Sequence, residues 1–235
     1  MVKKHVEKLN SALDRLDASL IGPLGSIALY LSGIYYQGTG DLETALEIFE
    51  DDKFDLDSFE STTSSVSQVK RDYAILAALN AIWILQDPHR QDVRRNNALM
   101  EKITKPCQHH PNMDIQAAFH LAAATVNRSP PLPSIDVRSH LSQALKATKV
   151  TLNMQFTCIT LSVMCNRFFV SVVGEQAEKS ALAASVQATR SGNPLWMSVA
   201  DGMLAQVFDL NGKQFEAGQA LEKARRRAQH AFPGY

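Results

Sequence analysis

The stretch Ile27 to Phe49, IALYLSGIYYQGTGDLETALEIF, restricts what this chain can fold into more than any other. Its apolar residues recur at three- and four-residue steps on both sides of a glycine-bearing turn. That spacing predicts two amphipathic helices packed back to back. Gly33 and Ala45 are small where two helix axes must approach to about 8–10 Å, and Tyr36 and Phe49 fill the space around that contact. Gly38 and Gly40 supply backbone freedom where the first helix stops, and Asp41 caps the second, which begins at Leu42.

The same phrase returns in Leu195 to Ala224. Leu204, Ala205 and Phe208 occupy one helix, Gly212 the turn, and Ala217, Leu221 and Ala224 the next. Both stretches have the spacing of a tetratricopeptide (TPR) repeat, and Gly40 and Gly212 are separated by close to five periods of its roughly 34-residue unit. A third turn fits at Gly174, although Arg167 and Lys179 sit where small residues belong. The expectation is an irregular array: an all-α, TPR-like α-solenoid of antiparallel hairpins, about ten to eleven helices in one superhelical domain over residues 1–235. An ordinary helical hairpin is the alternative for any one of these segments.

Taken in order, Val2 to Leu20 carries Val6, Leu9, Leu13, Leu16 and Leu20 on one face and reads as an amphipathic helix ended by Gly22-Pro23. It opens without a clean cap, as either the second half of a repeat or a piece of a longer solenoid would. DDKFDLDSFESTTSSVSQ, after Phe49, reads as an exposed polar connection. Tyr73 to Leu85 is apolar almost all round and predicts a buried helix, broken by Asp87-Pro88. A helix from His89 to Lys105 follows, with Pro106 and Pro111 bracketing a turn. Asn112 or Asp114 caps Ile115 to Val126, and SPPLPS is a linker no helix crosses. Ser134 caps a helix to about Val150 whose exposed face holds Arg138, His140, Lys146 and Lys149. Two hairpins complete the chain, Pro194 starting the penultimate helix and Pro233-Gly234 ending the last.

Composition removes several function classes. Lys and Arg together number 24, as do Asp and Glu, so no global field draws the chain to nucleic acid or an anionic membrane. Three cysteines are too few for a disulfide framework and fit a reducing compartment. No apolar run approaches the roughly 20 residues of a membrane span, and Met1-Val-Lys-Lys-His leads into a charged helix without a signal-peptide core. These features point to the nucleus or cytosol.

Catalytic chemistry finds little support. Asp51-Asp52-Lys53-Phe54-Asp55 is a DDxxD string, which in all-α isoprenoid synthases binds magnesium because carboxylates at i and i+4 share a helix face. The second metal-binding segment such an enzyme needs is missing, so the string reads first as a solvated acidic helix end. Cys107, His109 and His110 lack further ligands at zinc spacing, and Cys158 and Cys165 fall on one apolar helix face as core residues. With no P-loop, no G-x-G-x-x-G and no G-x-S-x-G, neither a cofactor nor catalysis is expected. The surface charges remain. Arg225-Arg226-Arg227 complements the dipole of the last helix or forms an anion-binding edge. Arg138, Lys146 and Lys149 share a helix with only Asp136 as acidic neighbour, and Arg90, Arg94 and Arg95 lie two elements earlier. Brought together, these make a basic patch suited to an acidic or phosphorylated protein segment; otherwise they are solvated faces.

LYLSGIYYQGTGDLETALEIF and GNPLWMSVADGMLAQVFDLNGKQFEAGQALEKA resemble the C-terminal part of the TPR subunit of the cohesin loader in its fungal form, the likeness running from about residue 24 to 230. The resemblance implies a non-enzymatic, nuclear, chromatin-associated scaffold without cofactor. Its partner is the large HEAT-repeat, Nipped-B-type adherin, and the pair loads cohesin onto chromosomes. It also implies that this chain corresponds to a C-terminal fragment of a longer array, with a chromosome-targeting surface on the later repeats, which charge places at Arg138, Lys146 and Lys149. A generic TPR adaptor and a fungal regulatory module are the other readings, with the magnesium-dependent synthase a remote third.

Overall fold

A computed structural model describes residues 18–59, 65–169 and 171–231, with residues 8 and 11. Ten α-helices make up the described chain: α1 Ala18–Thr39, α2 Leu42–Phe49, α3 Ser65–Ile84, α4 Val93–Gln108, α5 Met113–Thr125, α6 Ser134–Thr151, α7 Met154–Phe168, α8 Glu175–Ser191, α9 Pro194–Leu210 and α10 Gln214–Ala231. Two 3-10 turns, Asp52–Phe54 and Leu56–Phe59, join α2 to α3. No strand occurs among the described residues, so the fold is all-α. The helix expected over Val2 to Leu20 lies mostly outside the described residues, as does Pro233-Gly234. The chain divides into two compact units, Met1–Pro111 with Val126–Pro131, and Asn112–Thr125 with Leu132–Tyr235.

In the first unit the α1–α2 hairpin closes at Gly40, whose φ of +84° is costly for any residue with a Cβ. Asp41 caps α2 by accepting from Thr44 N at 3.2 Å. A Cβ added to Gly33 would stand 2.6 Å from the Phe49 ring, so the aromatic fills the space that glycine leaves and the two helices touch there. Ala45 is fully buried beside it, and Tyr36 packs against the same core. That core extends to Ala74, Ala77, Ala81 and Ile84 of α3.

Several boundaries differ from the sequence expectation. Helix α1 runs through Gly22-Pro23 rather than ending there, since a proline removes one amide from the ladder and a helix anchored by a packed face downstream tolerates that loss. The connection after Phe49 is not uniformly exposed, because Phe54 is buried against α3 and Leu56 packs on the same cluster. Helix α3 begins at Ser65, ahead of the apolar run; its polar first turns are tied down where Asp72 Oδ1 accepts from Gln68 Nε2 at 2.6 Å and lies 3.0 Å from Nε2 of buried His110. Helix α4 starts at Val93, with Asp92 accepting from the amides of Arg94 and Arg95, so His89 and Arg90 precede it. Pro106 lies inside α4 instead of ending it, held by the fully buried Ile103 and Cys107 on either side.

The second unit is three hairpins in chain order, α5–α6, α7–α8 and α9–α10, with α7 touching both α5 and α9. Solenoids are built this way. Small residues permit the close stacking: Ala177, Ala181, Ala184 and Ala188 form one fully buried row on α8, facing Cys165 and Cys158 of α7. The small positions near the Gly174 turn are therefore this alanine row, and Arg167 and Lys179 fall on exposed faces. At the final turn Gly212 has a φ of +74°; Ala205 and Phe208 before it join the core shared with Cys165 and Ala177, and Ala217 after it is buried. Asn112 accepts from Asp114 N, Asn153 from Phe156 N and Asn193 from Leu195 N, which caps α5, α7 and α9. Ser134 does not cap α6: it is the first helical residue, and Pro133 stands at the cap position without a side-chain bond.

Candidate functional site

Helix α6 buries Leu141, Ala144, Ala147 and Thr148, and Leu141 and Ala144 meet Leu121 and Ala124 of α5. This apolar stripe fixes the helix's rotation and turns Arg138, Lys146 and Lys149 outward. Arg138 is held in place, its guanidinium 4.8 Å from the centroid of the Phe168 ring on α7, a cation–π contact worth about 0.5–1 kcal/mol at an exposed site. Lys146 and Lys149 are exposed and make no ion pair with any described residue. Val150 and Leu152, 71% and 73% exposed, follow immediately, and Leu152 adopts φ +55°, a left-handed conformation usually left to glycine or asparagine. The α6–α7 corner thus presents two unpaired ammonium groups beside exposed aliphatic surface.

His140 does not join that face. It turns toward α5, where its Nδ1 lies 2.9 Å from Nδ1 of His120, with the Phe119 ring edge-on to it. One ring must donate to the other, so the two Nδ1 atoms share a single proton. Burial, reinforced by the His140 charge, lowers His120 from 6.5 to about 4.

The triple arginine separates in the structure. Arg227 Nη1 donates to Asp201 Oδ2 at 2.6 Å and its Nη2 reaches Thr189 Oγ1 at 3.2 Å. Arg226 bonds Glu222 one turn back, and Arg225 remains exposed. Asp201 is fully buried on α9 and also accepts from Ser185 Oγ of α8 at 2.5 Å, with Lys223 at 3.8 Å. Arg227 therefore clamps α10 to α8 and α9 instead of forming an anion-binding edge. This network was missed in the sequence, where its one signal was an acidic residue on the apolar face of α9, beside Ala200 and Leu204. In the first unit Arg90 pairs with Glu43 and Asp87, and Arg95 with Glu50, so only Arg94 of that basic group has no carboxylate partner among the described residues.

The other chemical candidates also take defined places. The DDKFD residues lie in a 3-10 turn, not on an α-helix, so i and i+4 do not share a face. Asp51 Oδ1 accepts from Lys53 N, Asp55 Oδ1 from Asp57 N, and Lys102 Nζ lies 2.9 Å from Asp57. Cys107 is fully buried and burial pushes its thiol up to about 12; Cys158 and Cys165 are raised for the same reason. Among the described residues no three His, Cys, Asp or Glu side chains converge on a metal position, and no helix is long and apolar enough to cross a membrane.

Stacked helix hairpins define a class, the α-solenoid proteins. More particularly, the chain matches the cohesin loading factor family over residues 1–214 and belongs to it. The match ends where α10 begins. Membership gives the chain a role in cohesin loading, and with it protein partners in the loader complex and a chromatin-related function. Neither the curated proteins nor the solved structures contain a match.

Proposed function

We propose that this chain is a non-enzymatic, TPR-type scaffold of the cohesin loader, acting in the nucleus on chromatin in support of sister chromatid cohesion. It holds an extended segment of the large HEAT-repeat adherin and offers the α6–α7 corner as a chromosome-targeting surface. The observation that carries the reading is the pair of exposed lysines, Lys146 and Lys149, without ion-pair partners in a member of this family. With Arg138 steadied on Phe168, they present three cations along one helix, a surface for an acidic or phosphorylated protein segment. Arg225 contributes at most at the margin, since Arg226 and Arg227 are engaged. Non-enzymatic action is supported by the 3-10 geometry of the DDKFD string and by the high pKa of the buried thiols.

Recovery of the tagged chain from nuclear extract at near-physiological salt, with mass spectrometry of its companions, tests the proposal. Adherin or cohesin subunits should be enriched. Recovery of unrelated regulators alone would favour a generic adaptor.

A further inference from the structure

We propose that the cleft enclosed by α2, the two 3-10 turns, α3 and α4 is a docking site for a basic side chain, lysine or arginine, carried next to an aliphatic residue on a partner protein segment. The cleft measures about 270 Å³, below the roughly 300–1,000 Å³ of sites for drug-sized ligands, and so suits a side chain rather than a free metabolite. Its floor is apolar, formed by Phe49, Phe54, Leu56 and Leu99, while Glu50, Asp51, Asp52 and Asp55 stand around the mouth.

The charge balance at the mouth selects the occupant. Residues 47–57 contain six acidic side chains and one lysine. Two cations from α4 answer part of this excess, Arg95 on Glu50 and Lys102 on Asp57 and Asp55. Asp51 and Asp52 have no cationic partner among the described residues. Asp51 spends only one carboxylate oxygen, which accepts from Lys53 N. A guanidinium or ammonium group at the rim restores the balance, and the aliphatic stem of the same side chain, with its apolar neighbour, covers the floor, as long cationic side chains do elsewhere. Lys102 lines the same cleft and competes with the incoming cation.

The site is built by α2–α4 of the first unit, shares no residue with α6, and rests on the scaffold reading only in taking a protein segment as its occupant. The test uses the full chain and three fluorescently labelled 12-residue peptides, measured by anisotropy at low and physiological salt. One alternates leucine with lysine and arginine, one replaces those cations by glutamate, and one keeps the cations but replaces leucine by serine. The first should bind at least tenfold more tightly than the other two. D51N/D52N, in which asparagine preserves the cap on Lys53, should weaken it about fivefold, and K102Q should tighten it. K146E/K149E, which tests the α6 reading, should leave it unchanged. Equal binding of the three peptides, or indifference to D51N/D52N in a normally folded protein, overturns the proposal.

Discussion

Arg227→Met should release the last helix. Asp201 is fully buried, and breaking a buried ion pair by removing one partner typically costs about 3–5 kcal/mol because the remaining charge is stranded. Here the carboxylate keeps the Ser185 hydroxyl at 2.5 Å and a more distant ammonium, Lys223 at 3.8 Å. The Arg227 side chain is itself 18% exposed, and these two facts reduce the expected loss to about 2–3 kcal/mol. Methionine retains much of the aliphatic stem, so the loss reports charge and hydrogen bonding rather than packing. Hydrogen exchange read along α8, α9 and α10 is the assay, since it separates local release of α10 from global unfolding. Protection should fall in α10 first. Asp201→Asn in the Arg227→Met background should recover part of the loss, because a neutral amide is less costly to leave there. A loss below about 0.5 kcal/mol in Arg227→Met, or a loss spread evenly over both units, would refute the clamp.

Three further outcomes follow from the same geometry. Gly33→Ala places a methyl group against the Phe49 ring and should destabilise the α1–α2 hairpin by about 1–3 kcal/mol in urea titration, a cost that Phe49→Leu in the same chain relieves in part. His120 is lowered from 6.5 to about 4 in the folded state, so the unfolded chain binds its proton first. The stability it confers is present above pH 6.5 and is lost as pH falls toward 4, about 2 kcal/mol of it by pH 5, and thermal melts of His120→Gln should lack that component. With its thiol raised to about 12 and no exposed surface, Cys107 should resist a thiol reagent in the native protein and react on unfolding.

The sequence revealed hairpins where close contact demands particular residue sizes. Gly33 against Phe49, and Gly40 and Gly212 at positive φ, leave a signature because almost nothing else fits. Its readings failed where tertiary packing overrode a local rule. Pro106 and Pro23 usually break helices, yet each removes only one amide, and buried neighbours keep α4 intact around Pro106. Phe54 sat in a polar run with only Leu56 and Phe59 for apolar company close by, too few to set a period that would show it turning inward. The arginines at 225, 226 and 227 look alike in sequence, but consecutive residues on a helix point about 100° apart, and only Arg227 faces the buried Asp201. Lys146 and Lys149 were legible because α6 is amphipathic; His140, on the same helix, was drawn inward by a partner that belongs to α5.

The proposed role of the basic face of α6 in cohesin loading remains to be put to cells. Its most direct test is chromatin immunoprecipitation of cohesin in cells whose only copy of the chain carries Lys146→Glu and Lys149→Glu, with a melting curve of the purified variant alongside. Both lysines are exposed and unpaired, so the fold should melt as wild type while cohesin occupancy at loading sites falls severalfold. Unchanged occupancy with the variant present at normal levels would rule out a role for these two lysines in cohesin loading.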